Sequence, residues 1–411
     1  MTEQVDFSNQ IDRLWNSFWT GGITNPLTVI EQITYLMFAR LMDINEKKNE
    51  RRFRGASNGF KPHFSKNKQH LRWSNFRQLG PEEMLKVVRG EVFPHFKTVA
   101  SISQTKDTPN SAHPSVGRYF EDAQLLIQKP SLLVEAVEMV NDLPITGDKK
   151  GDLYEYLLKK LTTAGINGQF RTPRHIIQLM VKMIKPELTD KICDPACGTG
   201  GFLTETMDYL LKTHSHEDGD VITYDRKLED NLEHLRSGMF HGLDFDITML
   251  RVASMNLLLH GIDDPAIIYQ DTLSGSFGET YPQLSENAFD VVLANPPFTG
   301  ALDTDSVSPD LLRRTKTKKT ELLFLGLFLR LLKNGGRCAV VVPTGVLFSA
   351  SNAHKTIRKT IIEDNQLEAV VSLPNGVFRP YAGVVTAILV FTKGGKTDDV
   401  LFFDVDNDGY S

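Results

Sequence analysis

The segment "DVVLANPPFTG", Asp290 to Gly300, ends an apolar run on an asparagine, two prolines and a phenylalanine. Those residue types suit one chemistry well. An exocyclic aromatic amine is a poor nucleophile because its lone pair is spread into the ring. Two fixed acceptors, with no competing donor, draw both amino hydrogens aside and aim the lone pair outward. The side-chain oxygen of Asn295 is one such acceptor. The Pro296 carbonyl is the other, held still because Pro297 locks its own φ and confines its predecessor to extended conformations. Phe298 offers an aromatic face to a planar ring, and no strong base is required.

A second constellation, "ICDPACGTGGFL", reads as a strand ending in Asp194, a glycine-rich turn and a helix. Gly198, Gly200 and Gly201, with Thr199 between them, permit φ > 0 and close approach of a ligand to the backbone. A dinucleotide fingerprint needs a third glycine where Leu203 stands, and "GGKT" at 394–397 has Val390 in place of the first Walker glycine. An acid plus spaced glycines suits a ligand with a cationic amino-acid end and a nucleoside, as in S-adenosylmethionine. "FHGLDFD" sets Asp244 where a carboxylate would accept ribose hydroxyls, and "IIYQDTL" sets Asp271 where one would accept from an adenine amine. Helix capping is the plainer alternative for both. In "GQFRTPRHIIQLM", Thr172 is expected to cap a helix whose first turn takes Pro173, and Arg171 and Arg174 would face a carboxylate at its positive end.

These groups need elements to position them. From residue 168 onward, short apolar runs ending in Asp, Gly or Pro alternate with helical stretches, which predicts an open, doubly wound α/β sheet with ligands at the carboxyl ends of the strands. Ala339–Val342 and Ala387–Phe391 are apolar throughout, the pattern of parallel strands buried on both faces. Residues 1–165 read as helical: Leu27, Ile30, Ile33, Leu36, Met37, Phe38 and Leu41 form a stripe for a helix packed on one side. The expected division is a helical domain over 1–150 and a catalytic domain over 151–411.

Two basic patches stand out in a chain of net charge −5. Residues 47–72 hold nine Lys/Arg with Phe53, Phe60 and Phe64 interleaved, and read equally as a solvated loop or a DNA or subunit contact. "RRTKTKK" (Arg313, Arg314, Lys316, Lys318, Lys319) follows the NPPF loop at the same expected edge, which favours phosphate contact. Cys193, Cys197 and Cys338 fit neither a disulfide framework nor a zinc site, and "HSHEDGD" (214–220) reads as a mobile surface loop. No metal is expected. The absence of a long apolar span or a signal-peptide pattern points to a cytoplasmic protein without membrane contact.

"GQFRTP", "DPACGTGGFL" and "NPPF", in that order, resemble the methyltransferases acting on adenine N6 in DNA. With "GDLYEYLL", "SMNLLLHGI", "NGGRCAVVVPTGVLF" and "LPNGVFRPYAGVVTAILVFTK", the chain from about residue 10 to 411 is similar to the modification (methylation) subunit of type I restriction–modification systems. The resemblance implies a helical N-terminal domain, a Rossmann-like methyltransferase domain of class I and S-adenosylmethionine as methyl donor. It implies that double-stranded DNA, a specificity subunit and a motor/nuclease restriction subunit are partners, with two methylation subunits per specificity subunit. Gln169, Phe170, Arg171, Thr172 and Pro173 then correspond to the segment wrapping the cofactor's methionine end, Asp194 with Gly198–Gly201 to the cofactor loop, and Asp244 to the ribose acid. Arg171 replaces a common aromatic and Asp244 a commoner Glu; relatives usually continue past Ser411 into C-terminal helices. Rival readings are methylation of an RNA base or protein glutamine, whose enzymes commonly carry NPPY, and a non-catalytic assembly subunit.

Overall fold

The computed structural model describes residues 2–52, 62–96, 123–145, 150–163, 171–218, 221–262, 264–298, 305–378 and 384–407. The chain divides into two compact units: Met1–Ile166 with Ser254–His260, and Asn167–Ala253 with Gly261–Ser411. Gln169 and Phe170, and Phe53 and Phe60 of the first basic patch, lie outside the described residues.

In the first unit, α1 (Thr2–Thr20) and α2 (Pro26–Arg52) pack on α3 (Pro130–Asp142) and α4 (Lys150–Thr163). The expected one-sided stripe on α2 is wrong in one respect. Residues Val29 to Ala39 are buried around the helix, apart from a half-buried Glu31, because neighbouring helices cover it on several sides. The polar residues this buries are satisfied. Gln32 donates to the Gln124 carbonyl at 3.0 Å and accepts from the Leu126 N–H at 2.9 Å. The Thr34 hydroxyl meets that of Tyr154 at 2.7 Å. Glu46 accepts the N–H groups of His63 and Phe64.

The phrases "GDLYEYLL" and "SMNLLLHG" prove to be packing partners in this unit. Asn256 Nδ2 donates to Glu155 at 3.1 Å, and a Cβ on Gly151 would stand 2.5 Å from the His260 ring. Of the 47–72 patch, Phe64 is core, and Arg72 is a buried structural cation paired with Asp43 and Glu50, each at 2.7 Å.

The second unit contains β1 (Ile192–Asp194), β2 (Ser215–Asp218), β3 (Val221–Tyr224), β4 (Phe240–Asp244), β5 (Ala266–Tyr269), β6 (Phe289–Ala294), β7 (Leu332–Pro343), β8 (Gln366–Ser372), β9 (Thr386–Thr392) and β10 (Leu401–Asp404). Eight of these form one sheet in the order β10-β8-β9-β7-β6-β1-β4-β5. Its longer helices are α5 (Arg174–Ile184), α6 (Gly201–Thr213), α7 (Ile247–Leu259, shared between the units), α8 (Pro309–Thr315), α9 (Thr320–Leu331) and α10 (Asn352–Glu363). Alternate strand residues, including Cys193, Val292, Ala294, Cys338 and Val340, join one apolar cluster with α9 and α10. Their neighbours Ile192, Val291, Leu293, Ala339 and Val341 are equally buried on the other face, where α5 and α6 pack. This is the doubly wound, mostly parallel sheet expected.

Two expectations are corrected. Ala387–Phe391 is buried on both faces, yet β9 runs antiparallel to both β7 and β8. A parallel strand needs a crossover element before it, and the described part of the β8–β9 connection holds no helix of that kind. Two-sided burial reports covering helices, not strand direction. The "HSHEDGD" stretch contributes β2, which pairs with β3 in a hairpin rather than remaining a loop. Among the described residues no His/Cys/Asp/Glu group is arranged for a metal.

Candidate active site at the carboxyl edge of the sheet

The chain passes from β1 outward to β4 and β5, then returns so that β6 lies on the other side of β1. Neighbouring strand ends diverge at such a reversal and leave a crevice. Asp194 ends β1 and Asn295 follows β6, so both flank it. Val292 pairs with Cys193, so Asn295 projects past the level of Asp194.

Asn295 Nδ2 donates to Thr172 Oγ1 at 3.0 Å. Its Oδ1 is buried and accepts no hydrogen bond among the described residues. An unsatisfied buried carbonyl costs about 1–3 kcal/mol, and this one stands at a strand end with its acceptor capacity unused. The Pro296 carbonyl likewise takes no hydrogen bond among the described residues. Pro296 is buried, while Pro297 and Phe298 are partly open to solvent.

The glycine loop is stitched to the neighbouring strand ends. Cys197 N–H donates to the Leu243 carbonyl at 3.0 Å, Gly198 N–H to Asp244 Oδ2 at 2.9 Å, and Thr272 Oγ1 to the Pro195 carbonyl at 3.0 Å. Gly198 and Gly200 have φ of +49° and +77°, which side-chain-bearing residues rarely adopt. Among the described residues nothing lies within 4 Å of where a Gly198 Cβ would be. Gly201 serves packing instead: its Cβ would stand 3.0 Å from Ile177 Cδ1. Thr199 is buried within the turn.

Burial pushes the Asp194 carboxyl up to about 8, and the negative charge of Asp244 adds to the shift. Burial raises Asp244 as well, although Oδ2 and Oδ1 accept from the Gly198 and Asp246 N–H groups. A cation beside Asp194 would restore its ionised form, and the remaining lone pairs of Asp244 can accept two hydroxyls. These residues therefore fit a ligand carrying both a positive amino-acid end and a ribose.

Some residues the sequence pointed to take other positions. Thr172 does not cap α5. Pro173 occupies the cap, its carbonyl accepting from Ile176 and Ile177 at 3.0 and 3.1 Å, so the threonine hydroxyl is left for Asn295. Arg174 is paired with Glu205 at 2.9 Å and Asp208 at 3.3 Å, joining α5 to α6. Arg171 lies next to it, and burial with repulsion from Arg174 pushes it down to about 10. Asp271 is exposed and its Oδ1 accepts from Leu273 N–H in a tight local turn. The capping alternative for Asp244 is resolved by Asp246, which accepts the Thr248 and Met249 N–H groups at the start of α7.

The basic segment begins beside the loop after β5, where Ser308 N–H donates to the Leu273 carbonyl at 2.8 Å. Arg313 and Arg314 are both paired with Asp310. Lys316, Lys318 and Lys319 are exposed, with no ion pair among the described residues.

The sequence reading passed over three residues here. Gly242 lets the loop reach β4, since its Cβ would stand 3.0 Å from Cys197 Sγ. Phe245, beside Asp244, is 67% exposed, and Phe348, beyond β7, is 78% exposed. A lone aromatic in a sequence gives no sign of exposure. The three thiols are buried, and burial raises each of them.

A Rossmann-like sheet with this strand order and acids at three adjacent strand ends defines a class I methyltransferase domain. Residues 146–411 match the family described as N-6 DNA Methylase, and residues 7–140 match the HsdM N-terminal domain. The chain is 30% identical over 393 residues to the Type I restriction enzyme EcoEI methylase subunit of Escherichia coli, covering 93% of this chain and 74% of that one. It is 35% identical over 276 residues to the EcoKI methylase subunit of the same species, covering 63% and 48% of the two chains. A solved restriction-enzyme modification subunit from Vibrio vulnificus YJ016 superposes with a TM-score of 0.77 at 25% identity, covering 98% of this chain and 85% of that one. The chain belongs to the N-6 DNA methylase family, within its type I methylase subunits.

Proposed function

We propose that this chain moves a methyl group from S-adenosylmethionine to the N6 amino group of an adenine flipped out of DNA, as the methylation subunit of a type I restriction–modification complex. One observation carries the reading: the buried Asn295 Oδ1 has no donor, beside a glycine loop and two raised carboxyls.

When bound, S-adenosylmethionine supplies an electrophilic methyl on a sulfonium sulfur. Asp194 and the Gly198–Gly201 turn hold its amino-acid end, Asp244 its ribose, and Phe245 offers a face to its adenine. Asn295 Oδ1 and the Pro296 carbonyl accept the two N6 hydrogens of the target base, pulling the nitrogen toward sp³. The aimed N6 lone pair would take the methyl that a bound S-adenosylmethionine would supply, the C–S electron pair would stay with its sulfur, and one N6 proton would leave to water. Phe298 stacks on the flipped base, whose extraction costs a few kcal/mol. Lys316, Lys318 and Lys319 contact phosphates. Residues 1–150 serve DNA and subunit contacts, and 151–411 carry the chemistry. A specificity subunit, joined by two methylation subunits and a motor/nuclease subunit, selects the adenine in the cytoplasm.

The test is transfer of labelled methyl to duplex DNA by the chain assembled with its specificity subunit. Asn295→Ala is expected to lower transfer at least about 1,000-fold while calorimetry still detects S-adenosylmethionine. Normal methylation by that variant would sink the mechanism.

A further inference from the structure

The Asn295 amide does not hold its orientation alone. We infer that Thr172 is a positioning residue for the methyl acceptor, acting through Asn295 rather than through the cofactor. The assignment deepens the methylation reading and rests on it. The 3.0 Å bond from Nδ2 to Thr172 Oγ1 uses one of the two amide N–H donors, fixes which way the amide faces and leaves Oδ1 as the half presented to a substrate. Were the amide free to turn over, it would offer the incoming amine a donor, which repels both N6 hydrogens. The hydroxyl has no competing duty at the helix start, since Pro173 takes the cap. Thr172 is also only 9% exposed. Its place is set by the rigid entry into α5, where two N–H groups converge on the Pro173 carbonyl. Two residues 123 positions apart thus form one unit, one aiming and one accepting.

Thr172→Val keeps the shape and removes the acceptor. In the assembled complex it is expected to lower kcat about 10- to 100-fold, the range that loss of fixed placement produces. The Kd for S-adenosylmethionine, read by calorimetry, should change less than about twofold, and Thr172→Ser should restore most of kcat. Wild-type turnover by Thr172→Val overturns the inference. So does a cofactor Kd that rises by the factor lost in kcat/KM, which would make Thr172 a cofactor contact. A readout independent of turnover separates this inference from the functional reading. The Asn295 side-chain N–H signals should exchange with solvent at least about tenfold faster in Thr172→Val than in wild type or Thr172→Ser. Equal exchange rates reject the pairing even if DNA is methylated, whereas faster exchange supports it even if the wild-type complex transfers no methyl.

Discussion

The buried polar side chains of α2 and the acceptors at the carboxyl edge of the sheet are treated in opposite ways. In the helical unit Gln32, Thr34, Asp43 and Glu46 are buried on or beside α2, and each has its partners in place. At the sheet edge Asn295 Oδ1 has none, and Asp194 is so poorly compensated that burial carries it to about 8. The first arrangement stabilises a fold. The second forgoes part of that stability, which under the proposed methyl transfer keeps acceptors ready for cofactor and substrate. Burial alone does not separate architecture from chemistry, and neither does an open acceptor alone, since Gln10 Oε1 in the helical unit is also buried without a partner among the described residues; at the sheet edge the open acceptor stands beside the glycine loop and two raised carboxyls.

Perturbing the two regions should therefore have opposite signs. The largest effect belongs to Asn295→Ala, which removes the unsatisfied carbonyl: methyl transfer falls as stated above, while the melting temperature holds or rises. A melting temperature that drops by several degrees would mean Asn295 is structural. Next is Asp43→Ala. It strips the buried Arg72 of one of its two carboxylates and should cost about 3 kcal/mol in denaturant unfolding. A loss below about 0.5 kcal/mol would remove the contrast from the helical side.

Asp194→Asn should do the reverse. The folded state keeps a proton on Asp194 that the unfolded chain gives up between about pH 4 and 8, so stability falls as pH rises through that window. The Asn variant should flatten this slope and raise the melting temperature at pH 8 by about 4 °C. It should also weaken S-adenosylmethionine about tenfold, since no carboxylate remains to ionise beside the cation. A pH-independent wild-type melting curve would contradict the assignment. The smallest effects lie at the basic segment. Alanine at Lys318 or Lys319 should lower the slope of log DNA affinity against log salt by about one each. Arg313 and Arg314, already paired with Asp310, should change it less.

Much of the site was legible because it is local. A strand ending in Asp194, a turn demanding positive φ and the Asn-Pro-Pro-Phe stop each depend on a few adjacent residues, and backbone sterics enforce them. The order of strands and helices followed from hydrophobic runs in the same way. What was misread depended on distant neighbours. A run of apolar residues cannot state whether β9 is parallel, because direction depends on the connection that delivers it. The stripe on α2 could not disclose that other helices cover its polar flank.

By itself, then, the sequence determined the chemical groups, their placement at strand ends and the doubly wound sheet that carries them, since each is written in short-range pattern. Tertiary structure alone decided which partner each group keeps. It gave Thr172 to Asn295 rather than to a helix cap, Arg174 to Glu205 and Asp208, and the cap of α7 to Asp246, leaving Asp244 for the glycine loop. Hydrogen bonds are satisfied through space, so a partner 123 residues away competes on equal terms with one two residues away once the chain has folded.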